Sequence, residues 1–125
     1  EKEISKKYVE ELKIKVLNEE QYSRMLSGGN QQKVVISKIL TTEPKVVILD
    51  EPTRGVDAKA REDVFQIVRN LKKKGVAVIL ISSDLEEVIN NSDRIIVIHS
   101  GEINLELDKK DFSIETITQA SFGVI

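Results

Sequence analysis

The chain contains no cysteine and no tryptophan, only two prolines, and aromatic residues fill 4% of its 125 positions. Without cysteine, no disulfide or thiolate metal site can staple the fold, and the composition fits a reducing compartment such as the cytoplasm. Long hydrophobic runs are also missing: the longest, 46–49 and 76–81, fall far short of the roughly 20 residues that a membrane-spanning helix needs. No basic-then-apolar leader opens the chain, so nothing in it signals export. Neither charge sign is in excess, with 19 Lys and Arg against 21 Asp and Glu and a net charge of -2, which argues against a protein that holds a phosphate backbone through bulk positive charge. The only methionine is Met25; residue 1 is therefore not an initiator, and the expectation is a piece of a longer chain. What is present suffices for one core. With 40% hydrophobic and 32% charged residues, a chain this long buries roughly two-thirds of its unfolded surface without staples.

Along the first 24 residues, Ile4, Tyr8, Leu12 and Val16 recur every fourth position, one narrow stripe of an amphipathic helix. A second helix is expected to start at Ser27, whose hydroxyl can accept from unpaired first-turn amides. Its inward face is read as Val35, Ile39 and Leu40, and Thr42-Glu43-Pro44 ends it, because the residue before proline avoids helix. The unbroken β-branched run 46–49 reads as a central parallel strand covered on both faces. Residues 58–73 form an amphipathic helix with Val64, Ile67, Val68 and Leu71 inward, stopped by Lys72-Lys73-Lys74-Gly75. A second buried strand at 76–82 completes a strand-helix-strand unit with a right-handed crossover. A short helix at 84–91, a strand at 94–98, a turn at Ser100-Gly101, an alternating strand at 102–107 and a closing helix near 113–121 complete the pattern.

Three places carry chemistry. Leu26-Ser27-Gly28-Gly29-Asn30-Gln31-Gln32 joins two glycines to a helix start, where outward amides and the positive dipole end make an anion seat; taken alone, it is equally an ordinary N-cap with a glycine turn. Asp50 and Glu51 end a buried strand, the edge where open α/β sheets place ligands. There Asp50 could hold Mg²⁺ through water and Glu51 could polarise an attacking water, although strands also often end in solvated acids. Arg54-Gly55-Val56-Asp57 is a glycine-containing loop in which Asp57 caps the following helix.

Together and in this order, these segments resemble the C-terminal half of an ABC-type ATPase nucleotide-binding domain: its signature sequence, then its hydrophobic strand with Asp-Glu-Pro, then its D-loop. Leu-Ser-Gly-Gly-Asn-Gln-Gln-Lys-Val at 26–34, Asp-Glu-Pro-Thr-Arg-Gly-Val-Asp at 50–57 and Ile-Ser-Ser-Asp-Leu-Glu-Glu-Val at 81–88 are similar to the ATPase subunits of bacterial ribose, galactose and xylose importers, in which two such domains share one polypeptide. The likeness is to the second domain. It implies an α/β fold, part of the P-loop NTPase three-layer architecture, with mainly parallel strands and a C-terminal hairpin. Residues 1–42 would end the helical subdomain, and 43–125 would form the C-terminal part of the core.

The resemblance also implies roles. Ser27, Gly28, Gly29 and Gln31 would meet the γ-phosphate of ATP bound by the partner domain, Asp57 would belong to the D-loop, Asp50 would serve Mg²⁺ and Glu51 would be catalytic. Position 83, where the family's γ-phosphate-sensing histidine stands, is Ser83, which cannot carry an imidazole's charge or span its reach. The family's G-x-x-x-x-G-K-[ST] phosphate loop has no counterpart, since no Gly-Lys pair occurs in the chain. By that reading the loop lies upstream, and the segment alone holds ATP poorly and is inactive. Implied partners are the first nucleotide-binding domain of the same polypeptide, the transmembrane permease subunits and, indirectly, a sugar-binding protein, with no nucleic acid; the chain itself would lie peripherally at the cytoplasmic side of the membrane. Two alternatives stay open: a non-transport ABC ATPase of DNA repair or translation, and a chemically silent interaction module. His99 reads as a surface residue at a strand end, Glu86 and Glu87 as the exposed first turn of a short helix, and Phe65 as core.

Overall fold

The computed structural model describes residues 1–18 and 20–125. They divide into two compact units, Glu1–Ile79 and Leu80–Ile125.

In the first unit, α1 (Lys2–Glu11) buries none of its residues. It stops because Lys13 turns into the left-handed region at φ 50°, which a non-glycine residue rarely adopts. The stripe expected from Ile4 to Val16 is therefore cut short: Leu12 and Ile14, at and just past the turn, are the buried positions, while Ile4 is 51% exposed.

Next, α2 (Gly28–Leu40) starts at Ser27 as expected. Its buried residues are Gly29, Lys33 and Ile36, and Val35 is more than half exposed. The inward face thus differs from the expected Val35, Ile39 and Leu40. Hydrophobic periodicity misplaced it because a paired lysine and a glycine occupy two of the core-facing positions. After the helix, Glu43 takes φ 49° before Pro44.

Strand β1 (Val46–Asp50) alternates, with Val47 and Leu49 buried and Val46 and Ile48 53% and 60% exposed. The expectation that both faces are covered is not met within this chain. The side chains are apolar on both faces, but only one face is buried here. Helix α3 (Ala58–Lys73) buries Val64, Phe65, Ile67, Val68 and Leu71, a broad stripe at helical spacing. It ends where Gly75, at φ 82°, lets the Val76 amide reach back to the Leu71 carbonyl and the Gly75 amide to that of Lys72, a glycine-dependent helix stop. β2 (Ala77–Ile81) joins β1 in a two-stranded parallel sheet across the α3 crossover, beginning with the Ala77 amide on the Lys45 carbonyl.

The second unit contains α4 (Leu85–Asn91), β3 (Arg94–His99), β4 (Glu102–Asp108) and α5 (Ile114–Ser121). β3 and β4 form an antiparallel hairpin in register from Arg94 opposite Asp108 to His99 opposite Glu102, with an irregularity at Val97 and Ile98. Its two-residue turn places both Ser100 and Gly101 at positive φ, the twist that matches paired strands. Ile95, Val97, Ile117 and Ala120 make the core, against which Leu85, Val88, Ile89, Leu105, Leu107 and Phe112 pack. Ser113 caps α5 by accepting from the Thr116 amide. The His99 ring lies half-buried rather than free at the surface, with Nδ1 3.0 Å from the Ser121 carbonyl.

Candidate functional site

The start of α2 is built by side chains that bind their own backbone. Ser27 Oγ accepts from the Asn30 amide and, at 2.9 Å, from Asn30 Nδ2. Asn30 Oδ1 in turn accepts from the Lys15 amide at 3.0 Å, which ties the segment after α1 to this helix tip. Gln31 folds back, its Nε2 donating to the carbonyls of Leu26 and Arg24. Ser27 and Gly28 remain exposed, and a side chain added at Gly28 would meet nothing. The remaining first-turn amides of a helix carry no intrahelical partner and concentrate its positive dipole end, so the tip offers an anion an open approach.

The two glycines at the helix start differ. Gly28 is open, whereas Gly29 is buried, and a Cβ on Gly29 would collide with the Cβ of Ala60 in α3. One turn along, the buried Lys33 Nζ stands 2.5 Å from Asp63 Oδ2 and 3.4 Å from the Lys13 carbonyl. Sequence reading gave no individual role to Asn30 or Lys33, which it quoted only within the motif, and did not single out Asp63. The one available signal was a lysine spaced four residues after a glycine and three before an isoleucine, on what turns out to be the packed face.

At the end of β1, Asp50 is exposed and Glu51 half-buried. Glu51 has φ 46°, a left-handed conformation that is unfavourable for a residue with a side chain and doubly so before proline. Its carbonyl accepts from the Arg54 amide at 3.1 Å, closing a tight turn over Pro52 and Thr53, both buried. Backbone strain of this kind costs on the order of 1–3 kcal/mol and persists where the surroundings enforce it. Gly55, at φ 74°, continues the loop into Asp57, whose Oδ1 accepts from the Ala60 amide at 2.9 Å. Asp57 therefore caps α3, as expected, three residues before the alanine that touches Gly29.

Ser83 belongs to the second unit and is exposed. The turn that carries it is fixed by Ser82, whose Oγ donates to Glu87 Oε2 and accepts from the Asp84 amide, both at 3.0 Å. Asp84 Oδ1 accepts from the amides of Glu86 and Glu87. Glu87 is 6% exposed, contrary to the expected solvated first turn, because the Ser82 hydroxyl supplies the partner a buried carboxylate requires. Glu86 is exposed as expected. Among the described residues no three His, Cys, Asp or Glu side chains converge as a metal site, and no helix is long and apolar enough to cross a membrane.

The geometry has close relatives. Residues 1–54 match the family model described as ABC transporter. The ribose import ATP-binding protein RbsA of Caldanaerobacter subterraneus subsp. tengcongensis is 45% identical over 98% of this chain and 25% of its own length. The xylose import ATP-binding protein XylG of Thermoanaerobacter pseudethanolicus is 50% identical over 95% of this chain and 24% of its own length. The chain thus spans about a quarter of the curated relatives it matches. Among solved structures, the ADP conformation of MJ1267, an ATP-binding cassette of an ABC transporter, superposes with a TM-score of 0.77 and 32% identity over 96% of this chain and 45% of that one. By motif, by sequence across nearly its whole length and by fold, the chain is related to the ATP-binding proteins of ABC transporters.

Proposed function

We propose that the chain is the C-terminal part of the second nucleotide-binding domain of a monosaccharide importer ATPase, with residues 1–42 ending the helical subdomain and 43–125 completing the α/β core. In the complete protein it supplies the signature tip to a composite ATP site and helps couple ATP binding and hydrolysis to sugar import. The observation that carries this is the exposed, Ser27-capped start of α2 with open space at Gly28. In this reading Ser27, Gly28, Gly29 and Gln31 face the terminal phosphate of ATP held by the first nucleotide-binding domain of the same polypeptide, and the loop ending at Asp57 lines the same junction. The import names of the relatives support permease subunits as partners, a sugar-binding protein as an indirect one, and a place at the cytoplasmic face of the membrane.

In this reading Asp50 and Glu51 serve the domain's own ATP, and Ser83 stands at the sequence position of the family's phosphate-sensing histidine. A single exposed carboxylate at a strand end fits Mg²⁺, which commonly takes one or two carboxylates and completes its shell with phosphate and water. When bound there, Mg²⁺ would offset phosphate charge. Glu51 is held by its turn to orient and deprotonate a water. Ser83 can hydrogen-bond a phosphate oxygen but brings no charge, so the domain's own ATP turns over more slowly than the one met by the α2 tip. With no G-x-x-x-x-G-K-[ST] segment, this chain alone binds ATP weakly, and submicromolar affinity in a calorimetric titration would contradict the reading.

The test is made in the complete subunit by comparing Gly28→Asp with Glu51→Gln. A carboxylate on the tip repels phosphate, so G28D is expected to lower ATP turnover by at least about 100-fold, a loss typical of removing charge stabilisation at a reacting oxyanion. E51Q is expected to leave most turnover. Abolished turnover in E51Q together with normal turnover in G28D would overturn the assignment.

A further inference from the structure

Lys33 is 4% exposed, which is unusual for a lysine, and a buried lysine is tolerated only when paired. Its side chain leaves α2 one turn after Gly29 and ends on Asp63 of α3, with the Lys13 carbonyl as a second acceptor. Gly29 and Ala60 make a close approach that no larger residue at position 29 would permit. Two contacts one turn apart, Gly29 on Ala60 and Lys33 on Asp63, fix both the separation and the rotation of one helix against the other. The first lies next to the helix starts, Ser27 being two residues before Gly29 and Asp57 three before Ala60, and the second follows it on each helix. The Lys13 carbonyl and the bond from the Lys15 amide to Asn30 Oδ1 bring the segment after α1 into the same joint.

We propose that Lys33 and Asp63 are positioning residues that lock the α2 tip to the start of α3, so that Ser27 and Gly28 and the loop 54–57 meet a bound nucleotide as one rigid body. This rests on the composite-site reading above. Hydrophobic packing alone would let the helices slide. The charge-assisted bond to a flexible but buried ammonium selects one register, and small displacements of a group that contacts the reacting phosphate are costly in rate.

The joint and its consequence are tested separately. The chain has no cysteine, so nitroxide labels at Val35→Cys and Gln66→Cys, both exposed, report the α2 to α3 distance. A narrow distance distribution is expected with the native pair and with Lys33→Arg, and a broad or displaced one with Lys33→Met. Asp63→Asn, at a side chain 40% exposed, gives the same readout if K33M fails to fold. An unchanged distribution in the folded variants would overturn the lock.

In the complete subunit, K33M is expected to lower kcat about 10- to 100-fold with the KM for ATP within twofold, because the nucleotide is held by the other domain, and K33R is expected to restore kcat. A broadened distribution with unaltered kcat, while G28D still abolishes turnover, would overturn the positioning role alone. Unaltered turnover in G28D as well would mean that the composite-site reading had failed instead.

Discussion

At Glu51 a proposed water-activating carboxylate stands on a backbone that glycine would adopt more easily, with φ at 46° and proline next. Asp-Glu-Pro was legible in the sequence as a strand-ending acidic pair, but the left-handed turn was not, because proline at 52 points to an extended residue before it. The turn follows from closure onto the Arg54 amide and the burial of Pro52 and Thr53, which are tertiary facts. The strain can be measured. Glu51→Gly and Glu51→Ala remove the same side-chain interactions, but only alanine keeps a Cβ in the left-handed region, at roughly 1–2 kcal/mol. Urea unfolding is expected to find Glu51→Gly more stable than Glu51→Ala by about 1 kcal/mol. Equal stabilities would mean that the backbone at this position relaxes.

Between elements, what was legible followed period and punctuation. α3 over 58–73 has the bounds read from its apolar spacing, its Asp57 cap and its lysine-rich end, and the hairpin turns at Ser100-Gly101 as its composition required. The face of α2 was not legible. A glycine and a lysine are poor markers of a core, and they become core positions only because Ala60 and Asp63 stand opposite. The two glycines allow a matched comparison at this scale. Gly28→Ala adds a methyl to open space and is expected to be neutral or to stabilise by up to about 1 kcal/mol. Gly29→Ala forces α2 from α3 and is expected to lie about 1–3 kcal/mol below it, the usual cost of overpacking. Thermal or urea denaturation of both variants decides. A Gly29→Ala chain as stable as Gly28→Ala would show that the helices do not depend on that close approach.

For the whole molecule, the α/β class and the relation to ABC ATP-binding proteins were carried by three short motifs in order, and sequence similarity over nearly the full chain bears them out. Burial was less legible. The apolar runs implied buried strands at 46–49 and 76–82, yet Val46, Ile48, Ile79 and Ile81 are all exposed. Sequence hydrophobicity reports every face a strand ever covers, whereas burial reports only the neighbours present in this chain. The α2 tip raises the same question of which partner it meets. The most direct measurement is a structure of the complete subunit trapped with Mg²⁺ and a nonhydrolysable ATP analogue, read as the distance from Ser27 Oγ and the Gly28 amide to the γ-phosphate bound by the opposite domain. Hydrogen-bond contact, about 3 Å, is the predicted result; a tip turned into solvent with the phosphate satisfied by other residues would contradict it.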